Sequence, residues 1–399
     1  MKNTNKIFYG KSVHGSAEIK AVVKVLKNST QMAHNVKSFE SKISKVFSKK
    51  YGLMVNSGSS AIHVLMDMLN FKKGSEVIVP ALNFATPISS LVKFGLVPNF
   101  VDINPHTLCI DEKKIIDSIN KKTVAMIIPN LIGSLPNWKL LRDIANKYNL
   151  SLIEDSADTL GAYYNKKYTG YYSDYSITSF YGSHIINCAG NGGMLCLNDL
   201  NEFNKLKVLR SWGRDSSIFK DSEKVENRFN VKLGKYDYDA KFLFSKLGYN
   251  FEPSELGAAF GLEQFKKLKI NINLRNKYQD IYDIFFSKYP KYFSTIKANK
   301  DVKTCYLAYP VVLNDKYLNR KKLQIFLEKN NIQTRVIFTG NILLHPGFKK
   351  INHKVNKFGL DYSNNVAKNG MLLPCHHGLK NSDVSRIISL ITKYIKNNV

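Results

Sequence analysis

Gly52-Leu-Met-Val-Asn-Ser-Gly-Ser-Ser-Ala-Ile-His-Val-Leu-Met-Asp-Met-Leu69 changes character twice within eighteen residues. Gly52–Val55 is a short apolar run of strand type, Asn56–Ser60 is a polar turn, and Ala61–Leu69 carries its apolar residues at helical spacing. Strand, turn and helix form the repeating unit of an α/β sheet, and the chain goes on to repeat it. Glu76–Pro80, Pro98–Asp102, Val124–Pro129 and Leu150–Asp155 are each short, rich in branched residues and closed by a turn former. We therefore expect a large α/β domain over residues 20–265. A charged helix from Lys266 to about Tyr282 leads into a smaller α+β domain, 266–399, containing the strand Leu307–Leu313 and the helix Arg320–Lys329. Residues 1–19 are expected to pack against that smaller domain.

At 399 residues and 44% hydrophobic, the chain can bury cores of that size. No apolar run approaches the roughly 18 residues a spanning helix needs. Met1-Lys-Asn-Thr-Asn-Lys6 lacks the apolar centre of a secretory signal. Cys109, Cys188, Cys196, Cys305 and Cys375 are scattered and odd in number, with no metal-ligand spacing. A cytoplasmic protein without a metal or an iron–sulfur cluster is expected. The net charge of +28 invites a nucleic-acid reading. The lysines, however, run through the whole chain and form no patch, so neither nucleic acid nor membrane is the expected partner. An anionic small molecule suits the charge better.

Three segments carry chemistry. In the turn before Ala61, Ser57, Gly58 and Ser59 stand where a helix begins, and the unpaired amides and positive dipole end there make a phosphate seat. The plainer alternative is ordinary helix capping by serine. In Glu154-Asp155-Ser-Ala-Asp158 a carboxylate closes an apolar strand, a place from which Asp155 can keep a pyridine nitrogen protonated. Phe84, after another strand, can stack on a flat ring or simply fill core. The third segment is Asp174-Tyr-Ser-Ile-Thr-Ser-Phe-Tyr-Gly-Ser-His184, which leads into Ala189-Gly-Asn-Gly-Gly193. There Ser179 adds a possible phosphate contact and His184 a proton-transfer group.

The order of these segments resembles the DegT/DnrJ/EryC1/StrS family of sugar aminotransferases. The likeness runs from about Gly10 to residue 375, with further matches at Arg210-Ser-Trp-Gly-Arg214, Leu247-Gly-Tyr-Asn250, Glu255-Leu-Gly-Ala-Ala-Phe-Gly261 and Thr334-Arg-Val-Ile-Phe-Thr-Gly-Asn341. The resemblance implies a fold-type I pyridoxal-phosphate (PLP) transferase with a mixed seven-stranded sheet. It further implies that Ser57, Gly58, Ser59 and Ser179 hold the cofactor phosphate, Phe84 stacks on the ring and Asp155 contacts its nitrogen. Asn250 would reach the neighbouring subunit's cofactor in a homodimer with shared sites, and Arg335 would meet the sugar or glutamate.

Most members carry a lysine where this chain has His184. The histidine branch comprises 3-dehydratases, so the implied activity is C3 deoxygenation of a nucleotide-linked 4-keto-6-deoxysugar. GDP-linked mannose or a heptose analogue is the expected sugar. L-glutamate would convert PLP to pyridoxamine phosphate (PMP), and ammonia would be released. A second histidine branch places an iron–sulfur cluster on cysteines after the Arg-Ser-Trp-Gly-Arg segment, where this chain reads Asp215-Ser-Ser-Ile-Phe-Lys220. The chain departs from the family in a slightly longer loop between His184 and Gly192, and in Asn191 at a commonly acidic position. The alternatives are an aminotransferase of nucleotide sugars and an inactive ligand-binding relative.

Overall fold

In the computed structural model, which describes residues 6–298 and 301–398, the segment around Gly52 opens one edge of a large sheet. Its strands are β1 (Tyr51–Val55), β2 (Glu76–Pro80), β3 (Val97–Val101), β4 (Thr123–Pro129), β5 (Ser151–Ser156), β6 (Tyr175–Ser179) and β7 (Gly193–Leu197). The spatial order is β1-β7-β6-β5-β4-β2-β3, and β7 runs antiparallel to both of its neighbours. All the other pairings are parallel. The carboxyl ends of β1, β2, β4, β5 and β6 therefore lie along one edge of the sheet, where ligands bind in open α/β folds.

The strands alternate between two cores, as a period of two requires. Val77, Val79, Ile127 and Ile153 join one cluster with Ile62, Leu65 and Leu91 of the helices Gly58–Leu69 and Ala85–Lys93. Ile78, Met126, Ile128 and Leu152 join the other with Trp138 and Leu141 of the helix Trp138–Tyr148. Both faces are covered, so β2 and β3 are buried along their whole length.

The sheet has eight strands where seven were expected. The eighth is Lys354–Val355, paired in parallel with Asn99 and Phe100 of β3. Both of its residues are exposed, so it carries none of the apolar patterning by which strands are read. A second sheet is wholly antiparallel, in the order Phe293–Thr295, Tyr309–Leu313, Gly370–Leu373, Arg335–Val336. Its core takes in Tyr282 and Phe286 of the helix Leu268–Phe286, together with Ile387 and Ile391 of the C-terminal helix.

The N-terminal segment touches both of the domains drawn from the sequence. Ile7 donates its amide to the Asn331 carbonyl (2.8 Å) and accepts from the Gln333 amide (2.9 Å). The helix Ser16–Asn28 continues through residue 20, and Glu18 accepts a 2.7 Å hydrogen bond from Gln264 of the helix Glu255–Lys266. Residues 1–5 of the expected N-terminal segment lie outside the described residues. No helix among the described residues is long and apolar enough to cross a membrane. All five cysteines are buried and unpaired.

Candidate active site

β1 delivers the chain to Ser57, which takes an extended conformation (φ −162°, ψ 159°) and caps the helix Gly58–Leu69 by accepting the Ser60 amide at 3.1 Å. Capping is thus real, and it holds the turn open. The amides that follow Ser57 have no intrahelical carbonyl to reach, and Ser57, Gly58 and Ser59 all line a cavity of about 450 Å³. Two neighbours press against this turn. A Cβ on Gly58 would lie 2.9 Å from the Ser179 Cβ, and one on Gly193 would lie 2.2 Å from the Ser57 carbonyl carbon. Only glycines let β6 and β7 approach so closely, and Ser179 is thereby brought onto the same wall.

Asp155 ends β5 on the cavity side and accepts the Ala157 amide at 3.1 Å. Burial, reinforced by the neighbouring Glu154 charge, pushes its carboxyl up to about 6 against the opposing pull of that amide. Glu154 faces the other way. It accepts hydrogen bonds from Asn130 (2.9 Å), Ser156 (2.6 Å), Ser176 (2.8 Å) and Ser173 (3.3 Å), and from Thr169. This ring of donors pins the end of β5 and fixes where Asp155 points.

His184 follows β6 after a tight loop. Its Nδ1 lies 3.1 Å from the Ser179 carbonyl oxygen. A carbonyl only accepts, so Nδ1 carries the proton and Nε2 presents its lone pair. Nε2 lies 3.9 Å from Asp158 Oδ1. Burial pushes the imidazole down to about 4, with Arg275 adding to the effect and the Ser179 carbonyl opposing it. Burial, then the Asp155 charge, pushes the Asp158 carboxyl up to about 7.

Phe84 also lines the cavity, more than half exposed, with its ring edge-on to Phe338 at 6.2 Å. Two expected site residues are not on the wall. Asn250 is exposed beside Ser211, with which it makes an isolated β-bridge. Arg335 lies on an edge strand, donates to the Thr334 carbonyl at 2.7 Å and covers the outer face of Tyr9 at 5.6 Å. In this chain its reach stops at Tyr9, which does line the cavity.

Tyr9, Asn83, Asp158, Leu307 and Phe338 join the wall without having been expected there. Asp158 stands within the quoted carboxylate motif. The others come from segments far apart in the chain. Asn83 is notable because its Nδ2 is buried and has no hydrogen-bond partner among the described residues. Among the described residues lining the cavity, none is a lysine or an arginine.

Residues 13–392 match the DegT/DnrJ/EryC1/StrS aminotransferase family. The chain belongs to that family. A Saccharopolyspora spinosa relative, dTDP-4-dehydro-2,6-dideoxy-D-glucose 3-dehydratase, is 28% identical over 373 residues, 90% of this chain and 80% of its own. The solved Escherichia coli GDP-4-keto-6-deoxy-D-mannose-3-dehydratase with bound hydrated PLP superposes with a TM-score of 0.88. It is 27% identical, and the match covers 97% of this chain and all of that one. A second solved GDP-4-keto-6-deoxymannose-3-dehydratase, holding a trapped PLP–glutamate geminal diamine, also gives 0.88 at 27% identity over 96% and 99% of the two chains. The fold is thus that of the PLP-dependent aminotransferases, a large mixed sheet in an α/β framework.

The cavity fits such a cofactor. It offers open helix amides for a phosphate, a buried carboxylate with no cation beside it for a ring nitrogen, an exposed phenyl face, and an orphaned amide at Asn83.

Proposed function

We propose that this protein is a PLP/PMP-dependent 3-dehydratase that removes the C3 hydroxyl of a nucleotide-linked 4-keto-6-deoxysugar. The expected substrate is GDP-4-keto-6-deoxy-mannose or a GDP-6-deoxy-4-keto-heptose, with L-glutamate supplying the cofactor's amino group and ammonia released. One observation carries the reading: His184 lines the cavity together with Asp155 and the Ser57–Ser59 turn, and no lysine lines it among the described residues. An aminotransferase of this family needs a lysine there to hold the cofactor covalently.

When bound, the cofactor supplies an electron sink. Ser57, Gly58, Ser59 and Ser179 seat its phosphate, Asp155 keeps its ring nitrogen protonated, and Phe84 covers one face. His184, neutral and oriented by the Ser179 carbonyl, moves the proton at the C4′ carbon. The protein is read as a cytoplasmic homodimer. Asn250 would then act across the interface, which accounts for its exposed position in a single chain.

The test is incubation with glutamate and a panel of GDP-, dTDP- and CDP-linked 4-keto-6-deoxysugars, scored by mass spectrometry. Loss of oxygen at C3 supports the reading, and gain of an amine on the sugar refutes it. His184→Asn should bind cofactor yet lose C3 deoxygenation by at least about 100-fold, the usual weight of a general base.

A further inference from the structure

Asp158 has a different setting from the other two carboxylates at the end of β5. Glu154 is surrounded by five donors, and Asp155 accepts a well-formed bond from Ala157. The one hydrogen bond that Asp158 accepts among the described residues is a 3.4 Å contact of Oδ2 with the Ile132 amide. Its Oδ1 faces His184 Nε2 at 3.9 Å, beyond hydrogen-bond distance, and both groups line the cavity. A buried carboxylate needs donors or a cation to stay ionised, and among the described residues Asp158 has only that one long contact and no cation. The groups that act on Asp158 and His184 electrostatically are Asp155, Tyr9 and Arg275.

We infer that Asp158 is the acid that protonates the departing C3 hydroxyl, while His184 takes the proton whose removal drives that departure. This inference rests on the dehydratase reading above. The reaction requires two proton transfers at two different atoms, and the cavity wall offers two proton-carrying groups side by side. His184 Nε2 would take the proton from the cofactor's C4′ carbon, and the electron pair freed there would pass away from the ring toward the sugar, where it would expel the C3 hydroxyl. The hydroxyl leaves with its bonding pair and takes the Asp158 proton, forming water. The dyad ends as imidazolium and carboxylate, one internal proton transfer away from its starting state. No external acid, oxidant or reductant is consumed.

The holoenzyme and its Asp158→Asn variant are compared in the two half-reactions. Conversion of PLP to PMP by glutamate, followed by absorbance, requires proton movement at C4′ but expels no hydroxyl. Asp158→Asn should therefore slow C3 deoxygenation at least about 100-fold more than it slows the glutamate half-reaction. Its deoxygenation rate should also lack the fall above about pH 7 that loss of the Asp158 proton gives the wild type. Equal losses in both halves would reduce Asp158 to a positioning residue and overturn the inference, as would an unchanged pH limb.

A second readout needs no substrate. In the full-length protein labelled at histidine ring carbons, with His184 assigned by loss of its signal in His184→Asn, the His184 resonance should show an inflection near pH 7. Asp158→Asn should abolish it, and a wild-type protein without the inflection refutes the coupling even if the variant folds poorly. If the wild type deoxygenates no sugar on the panel, the dehydratase reading fails. The inflection then still reports on the pair.

Discussion

Asp155→Asn should make the cofactor-free protein more stable, and increasingly so as pH rises. Asp155 is buried at the end of β5 with its carboxyl pushed from 3.8 to about 6. The folded state therefore binds a proton more tightly than the unfolded chain does. Such a group is harmless below its unfolded value and costs stability as pH rises, with the loss complete above the folded value. Carrying the carboxyl from 3.8 to about 6 makes ionisation in the folded state harder by about 3 kcal/mol. Linkage places the cost at about 0.5 kcal/mol at pH 4 and about 3 kcal/mol at pH 8. Asparagine keeps the oxygen that accepts the Ala157 amide and carries no charge. It also relieves Asp158, whose carboxyl Asp155 pushes up. Urea unfolding of the apo protein and the variant at several pH values measures the difference directly. A variant no more stable than the parent at pH 8, or a margin constant from pH 4 to 8, would refute the reasoning. The same variant should bind PLP at least about tenfold more weakly, since a charge-assisted contact to the ring nitrogen is lost. A site that destabilises its own fold in this way is a common cost of function.

Three further outcomes follow from the geometry. Gly193→Ala would drive a Cβ into the Ser57–Gly58 backbone at 2.2–2.4 Å; a loss of about 1–3 kcal/mol is expected from the overpacking. Cofactor affinity should fall with it, read by thermal melting and a PLP titration. Glu154→Ala would leave its hydroxyl and amide donors unsatisfied in the core, and chemical denaturation should show a loss of about 3–5 kcal/mol. Ser57→Ala removes the helix cap. It should cost about 1 kcal/mol in unfolding experiments and weaken PLP measurably, by way of the frayed turn.

The strands and the placing of candidate residues near their ends were readable because each obeys a local rule. β2 was legible to the residue, Ser57, Asp155 and Ser179 sit at or beside strand ends that period and turn signals mark, and His184 lies in the loop beyond β6. Much of what escaped depends on distance along the chain. Tyr9 reaches the cavity from a segment in which Ile7 is pinned to residues 331–333, and Phe338 reaches it just beyond the edge strand Arg335–Val336 of the second sheet. No local pattern encodes either approach. The eighth strand is two exposed residues held only by backbone bonds to β3. Asp158 was visible in the sequence, but its role was not. A carboxylate three residues past Asp155 becomes informative only once a loop starting at Ser179 brings an imidazole to 3.9 Å from it.

Replacing lysine by histidine changes what the rest of the site must do. A covalently held cofactor is retained by its bond, whereas under the proposed function retention would fall on the phosphate seat, Asp155 and the flat contacts of Phe84. That explains why so much structure converges on the Ser57–Ser59 turn: a capped helix end, two glycines that admit close neighbours, and Ser179 from a separate strand. It also explains the buried, donor-starved carboxyl of Asp158. A lysine brings its own mobile proton to C4′ and to the sugar. An imidazole fixed through Nδ1 has one nitrogen to work with, and in the inference drawn above the second proton would come from a neighbour that burial keeps protonated near neutrality.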